Sequence, residues 1–232
     1  MSVSAMRPAR FRLALSYGAA LALGKPLSRL FLVLMLAFGG RAEAGEPLRL
    51  VAIGDSLTAG YGLAQGDGFV PQLDAWLAKQ GLPEVEVVNM GVSGDTTAGG
   101  AARLDWALAD GADAVMVALG GNDLLRGIQP ETTRANLESM LSRLGERGLP
   151  VLLVGMQAPL NYGPEYKEAF DAVYPDLAAA YDALLYPFFL EGLFGKKGLF
   201  QDDGIHPNKA GVAQMVDGIG PQVLSLVGQV GG

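Results

Sequence analysis

Five apolar runs recur along the chain, and segments of helical character separate them. The runs are Leu48–Ile53, Val85–Asn89, Ala114–Leu119, Val151–Met156 and a weaker one at Leu184–Pro187. Short runs rich in Val, Ile and Leu are typical of strands buried on both faces, as in parallel sheets. The pattern therefore predicts an α/β fold, a three-layer α/β/α sandwich around a five-stranded parallel sheet.

Two segments between or after these runs carry an apolar stripe at helical spacing. The stripes are Leu137, Met140, Leu141 and Leu144, and Val212, Met215, Val216 and Ile219. Positions i, i+3, i+4 and i+7 share one face of a helix, and such a face packs against the core. We expect these residues to be structural.

The N-terminal 44 residues have the features of an export signal. An apolar run, Leu30–Phe38, follows basic residues and precedes the small-residue site Ala42-Glu43-Ala44. Nine apolar residues are too few to span a bilayer, which takes roughly 20, so a permanent anchor is the weaker alternative. The sequence predicts cleavage after Ala44 and a periplasmic or secreted protein with one domain, residues 45–232.

Composition narrows the partners of that domain. The chain has no cysteine, which excludes disulfides, a thiolate metal site and a cysteine nucleophile. Beyond the leader there are 11 basic and 23 acidic residues, a net charge near −12. So acidic a protein is a poor partner for nucleic acid or anionic membrane. We expect a small-molecule substrate, and a monomer or weak homo-oligomer.

The only histidine of the chain, His206, lies in an acidic segment far along the chain from a serine that ends the first apolar run. A serine hydroxyl becomes a nucleophile when a base takes its proton and a carboxylate orients that base. We therefore assign Ser56 as nucleophile, His206 as base and Asp203 as the orienting acid. Asp202 is the rival acid, and Asp203 is preferred for its three-residue spacing. Read alone, the Asp-Ser pair is also typical of a turn or helix cap.

Two glycine-containing segments, Gly91–Thr96 and Gly120–Asp123, follow the second and third runs. Gly94 can offer a backbone N–H, and Asn122 a side-chain amide, to a developing oxyanion. Each segment alone is equally typical of a turn or a helix cap. Because carboxyl ends of parallel strands share one edge, Ser56, Gly94 and Asn122 are expected to converge there.

Together these segments resemble the SGNH (GDSL) hydrolase family, particularly its periplasmic thioesterase, lysophospholipase and arylesterase branch. The similarity covers about Leu48 to Leu226 and includes Gly120–Gly127 and Asn161–Gly163. It implies a flavodoxin-like SGNH hydrolase fold and a reaction without cofactor or metal. It also implies a catalytic triad of Ser56, Asp203 and His206. The oxyanion hole would be formed by Ser56, Gly94 and Asn122.

The resemblance implies a serine esterase that cleaves carboxylic ester and thioester bonds, with lysophospholipids among its substrates. Export and the acidic charge argue against acyl-CoA as the natural substrate. An acyl groove is predicted at Leu124, Leu125, Pro159, Leu160 and Tyr162, with Arg126 meeting a phosphate or carboxylate; the alternative for these residues is ordinary loop packing. Two other functions stay open, a carbohydrate O-acetylesterase on the same scaffold and an exported binding protein without turnover.

Overall fold

A computed structural model describes residues 47–230, so the leader predicted for residues 1–44 lies outside the described residues. Five parallel strands form one sheet in the order β2-β1-β3-β4-β5. They are β1 (Leu48–Gly54), β2 (Val85–Gly91), β3 (Ala114–Ala118), β4 (Val151–Val154) and β5 (Leu184–Tyr186). Each strand begins at the residue that the sequence predicted, and the ends differ by one or two positions.

Helices connect the strands and lie on both faces of the sheet. They are α1 (Ser56–Ala59), α2 (Phe69–Lys79), α3 (Thr97–Ala102), α4 (Leu104–Ala107), α5 (Gly121–Leu125), α6 (Pro130–Glu146), α7 (Pro164–Ala180) and α8 (Lys209–Val227), with 3₁₀ turns at Leu160–Tyr162 and Lys197–Leu199. Both predicted stripes are buried, in α6 and α8. No helix within residues 47–230 is long and apolar enough to cross a membrane.

Alternation along β1 shows how the sheet joins two cores. Leu50 and Ala52 pack against α2 and α8, whereas Val51 and Ile53 pack against α4, α6 and α7. All four side chains are fully buried. Burying an aliphatic side chain contributes about 1.5–3 kcal/mol, so both layers are held by the same strand. The predicted three-layer sandwich is confirmed.

The strand order fixes where a ligand can bind. The chain adds β2 on one side of β1 and β3 on the other, so its direction of winding reverses between β1 and β3. In open α/β sheets a crevice forms at such a point, outside the carboxyl ends of the strands. Ser56 and Asn122 follow these two strands directly.

The approach to Asn122 depends on a glycine. Gly120 has a φ of 117°, and a Cβ on it would lie 2.0 Å from the hydroxyl of Tyr174. That hydroxyl is buried and donates to the carbonyl of Leu119 at 3.0 Å. The chain can therefore turn from β3 into α5 only without a side chain at position 120.

Candidate active site

The candidate nucleophile lies at the junction of β1 and a short helix. Ser56 is the first residue of α1, and Asp55 caps this helix by accepting the N–H of Leu57 at 3.0 Å. The cap bends the chain sharply after the buried strand and brings the serine into a cleft. The Gly-Asp-Ser-Leu segment is therefore a helix cap as well as a carrier of the hydroxyl.

A single loop brings the candidate acid and base to this serine. The Nε2 atom of His206 lies 2.9 Å from the hydroxyl of Ser56, and Nδ1 lies 2.6 Å from Oδ2 of Asp203. The other carboxylate oxygen of Asp203 accepts the backbone N–H groups of Ile205 and His206, both at 2.9 Å. An Nδ1–H that donates to Asp203 leaves Nε2 free to accept from the serine. Asp202, the rival acid, makes no hydrogen bond to the imidazole within residues 47–230, whereas Asp203 does.

The charge on Asp203 is stabilised by this arrangement. Its hydrogen bond to the His206 ring, and those from the two backbone N–H groups, lower the pKa of Asp203 to about 2. The group is therefore a carboxylate at any pH where the protein would be assayed. A histidine that becomes protonated while accepting the serine proton would have its counter-charge in place.

The three predicted oxyanion donors line one cleft. Ser56, Gly94 and Asn122 all contribute to its wall. Gly94 has a φ of 82°, and its carbonyl accepts a hydrogen bond from Arg126 at 2.6 Å. Asn122 donates its side-chain amide to Asp55 at 3.3 Å. Arg126 therefore holds the donor segment that follows β2, and Asp55 holds the one that follows β3.

Several supporting residues were missed by the sequence analysis. Arg103 pairs with Asp95 at 2.7 Å and donates to the carbonyl of Gly54 at 3.0 Å, which ties the end of β1 to the segment that follows β2. Asp123 is fully buried and accepts the N–H of Thr97 at 2.9 Å. Nothing in the sequence singles out Arg103, since its partners are more than seven residues away.

The cleft above the serine is largely apolar and has a volume of about 1000 Å³. This is the upper end of the range for small-molecule sites. Its apolar wall comprises Leu57, Tyr61, Leu124, Leu125, Met156, Pro159, Leu160, Phe188, Leu190, Phe194, Phe200 and Ile205. Phe188 and Phe194, in the loop that follows β5, also line the cleft. The sequence does not predict this, because it depends on how that loop folds. Tyr61 also packs against the ring of His206, with 4.7 Å between ring centroids.

The structure brings part of the predicted acyl groove to this cleft. Leu124, Leu125, Pro159 and Leu160 line it, but Tyr162 and Arg126 do not. Tyr162 lines a separate hollow and packs against Tyr166, with 5.0 Å between ring centroids. Side chains two apart on a 3₁₀ turn point about 120° apart, so Leu160 and Tyr162 face different spaces. Arg126 contacts a backbone carbonyl instead of the cleft.

That contact makes Arg126 a residue for a discriminating test. Arg126→Met should lower kcat for the uncharged substrate p-nitrophenyl butyrate about 10-fold with little change in KM, because the Gly94 carbonyl loses a charged hydrogen-bond donor. Arg126→Lys should recover part of the rate. If Arg126 instead binds a substrate phosphate, the loss will appear with lysophospholipids and not with the uncharged ester.

A second carboxylate of the site, Asp55, has a pKa shifted in the opposite direction. It is 4% exposed, and burial raises its pKa from 3.8 to about 6, although the Leu57 N–H and the Asn122 amide act against this. The folded protein thus holds this proton to a higher pH than the unfolded chain. The contribution of this proton to the free energy of unfolding is fully present below about pH 4 and is lost as pH rises through about 6.

We therefore expect Asp55→Asn to change the pH dependence of stability. The free energy of unfolding of the variant minus that of the parent should rise by about 2–3 kcal/mol as the pH goes from about 4 to 7. The asparagine keeps an acceptor for the Leu57 N–H, and any mismatch with Asn122 adds an offset that does not vary with pH. Urea unfolding at several pH values measures the difference, and parallel curves would contradict the raised pKa.

The chain is similar in sequence and in fold to several known proteins. Residues 52–214 match the GDSL-like Lipase/Acylhydrolase family. The chain is 45% identical to Esterase TesA of Pseudomonas aeruginosa over 77% of this chain and 89% of that protein. It is 42% identical to Thioesterase 1/protease 1/lysophospholipase L1 of Escherichia coli, over 85% and 91% of the two chains. The crystal structure of AlinE4, an SGNH-hydrolase family esterase, superposes with a TM-score of 0.67 at 43% identity, covering 78% and 97%.

Proposed function

Because the chain belongs to the GDSL-like lipase/acylhydrolase family and is therefore an ester hydrolase, we propose that Ser56, His206 and Asp203 form its catalytic triad. The observation that carries this proposal is the continuous chain of contacts from Asp203 through the imidazole to the Ser56 hydroxyl, at 2.6 and 2.9 Å. Both distances are within hydrogen-bonding range for a nucleophile, its base and an orienting acid.

In the proposed mechanism, the Ser56 oxygen attacks the acyl carbon while His206 Nε2 takes the hydroxyl proton. The negative charge on the former carbonyl oxygen is met by the N–H groups of Ser56 and Gly94 and the amide of Asn122. The ester C–O bond then breaks, and the His206 proton passes to the leaving alkoxide. Water attacks the acyl-enzyme by the same route, releases the acid and restores Ser56.

We propose acyl esters with medium or long chains, including lysophospholipids, as the substrates, and thioesters as a side activity. The support is an apolar cleft of about 1000 Å³, far larger than an acetyl group needs. Each methylene buried there would contribute about 0.8 kcal/mol. The names of two relatives, an esterase and a thioesterase 1/protease 1/lysophospholipase L1, support these bond types.

Steady-state hydrolysis of p-nitrophenyl esters from acetyl to palmitoyl tests this proposal. We expect kcat/KM to rise by up to about 4-fold per methylene until the cleft is filled, from about 0.8 kcal/mol of burial each. Ser56→Ala is the control for background hydrolysis. A maximum at acetyl would favour the carbohydrate O-acetylesterase, and a protein that neither turns over nor is labelled at Ser56 by a phosphonate would be a binding protein.

The predicted leader supports a proposal on location. We propose export with removal of residues 1–44, which leaves an N-terminus at Gly45. N-terminal sequencing of the protein from the periplasm or medium checks this. A protein found only in the cytosol with residues 1–44 intact would overturn it.

A further inference from the structure

Large apolar side chains that face solvent are concentrated around the mouth of the cleft. Eight of them are exposed among residues 47–230, and five of these eight line the cleft. The five, here called the rim, are Tyr61, Leu125, Leu160, Phe194 and Ile205. Single exposed apolar residues are ordinary, but a group on one surface marks a site of interaction.

The rim comes from separate parts of the chain. Its members follow strands β1, β3, β4 and β5, and all these strands end at the same edge of the sheet. The rim therefore surrounds the opening through which a substrate reaches Ser56. Phe194 is the most exposed of the five, with 82% of its surface accessible.

The chemistry beside Phe194 indicates the partner. Gly195 turns the chain with a φ of 80°, and two exposed lysines, Lys196 and Lys197, follow. Neither ammonium group has an ion-pair partner in the part of the chain that the structure describes. A phenyl ring with adjacent lysines suits a lipid interface, because the ring can be buried at the boundary of headgroups and acyl chains while the lysines reach phosphates.

We propose that the rim docks this protein on the surface of zwitterionic phospholipid, so that acyl chains pass from the lipid into the cleft. The inference rests on the proposed function and specifies how the substrate is presented. The acidic charge of the remaining domain disfavours anionic lipid, whereas phosphatidylcholine offers phosphates to Lys196 and Lys197 without a net negative surface.

Binding can be measured without turnover. The exported form of the Ser56→Ala variant is mixed with phosphatidylcholine vesicles at physiological salt, and the bound fraction is measured by flotation. We expect binding, and a loss of at least 10-fold in partition when Phe194→Asp is added. Lys196→Gln with Lys197→Gln should weaken partition about 3-fold. Trp106→Asp is the matched control, because Trp106 is 66% exposed but lies away from the cleft.

The outcomes separate docking from catalysis. Absence of vesicle binding by Ser56→Ala, or equal losses from Phe194→Asp and Trp106→Asp, would overturn the docking surface. Thermal unfolding of each variant verifies that it is folded. A parent protein that binds vesicles but hydrolyses no ester would overturn the proposed function and leave the docking surface standing.

Discussion

Ser56→Ala and His206→Ala are each expected to lower kcat/KM for p-nitrophenyl butyrate by about 10⁴- to 10⁶-fold. The hydroxyl and the imidazole are 2.9 Å apart and act on one proton, so neither is useful without the other. His206 is also the only histidine in the chain, which leaves no second imidazole to take over the role of base. The measurement is steady-state kinetics with the same ester.

The double variant distinguishes a shared mechanism from two independent effects. Residues that act as a unit give strongly non-additive losses, so Ser56→Ala with His206→Ala should be about as slow as either single variant. A double variant slower by the product of the two losses, or a single variant within 10-fold of the parent, would contradict the triad. Far-UV circular dichroism shows whether each variant is folded.

Asp203→Asn is expected to lower kcat by about 10⁴-fold, while Asp202→Asn stays within about 2-fold of the parent. Asparagine can donate its amide to Nδ1 and so stabilise the tautomer whose proton is on Nε2, which cannot accept from Ser56. It also removes the negative charge that faces the imidazolium. The two substitutions make the same chemical change at adjacent positions, and only Asp203 lies against the ring.

This pair of variants tests whether Asp203, three residues before His206, is the orienting acid and Asp202 is not. A large loss with Asp202→Asn and a small one with Asp203→Asn would show that the loop has another arrangement during turnover. Equal small losses would mean that the imidazole needs no orienting acid. KM should change little in both variants, since neither carboxylate lines the cleft.

The sequence predicted the sheet well because its strands are buried on both faces. A run such as Val151–Met156 has few other structures open to it when helical segments flank it on both sides. The end of this run was predicted less well. β4 stops two residues earlier, at Val154, which pairs with Tyr186, the last residue of β5. Strand ends depend on the length of the partner, and this is not encoded in the run itself.

The site was predictable where function constrains residue types and less so where only packing does. Ser56, Asn122 and His206 are the chemical groups that acyl transfer needs, and the sheet edge brings them together. Tyr162 was expected in the groove, but the 3₁₀ turn directs it to a different hollow. The sequence does not predict Phe194 at the cleft, because its position there arises from a loop that follows the last strand.

The candidate acid and base belong to one loop, whereas the candidate nucleophile belongs to the sheet. Two hydrogen bonds within the loop, from Ile205 and His206 to Asp203, keep the acid and base in register wherever the loop moves. Fewer contacts tie this loop to the segment of Ser56: Gln201 donates to the carbonyl of Tyr61 at 2.8 Å, and the Tyr61 ring packs against His206. We therefore expect heat or denaturant to displace this loop while the sheet stays folded. Activity would then be lost before structure.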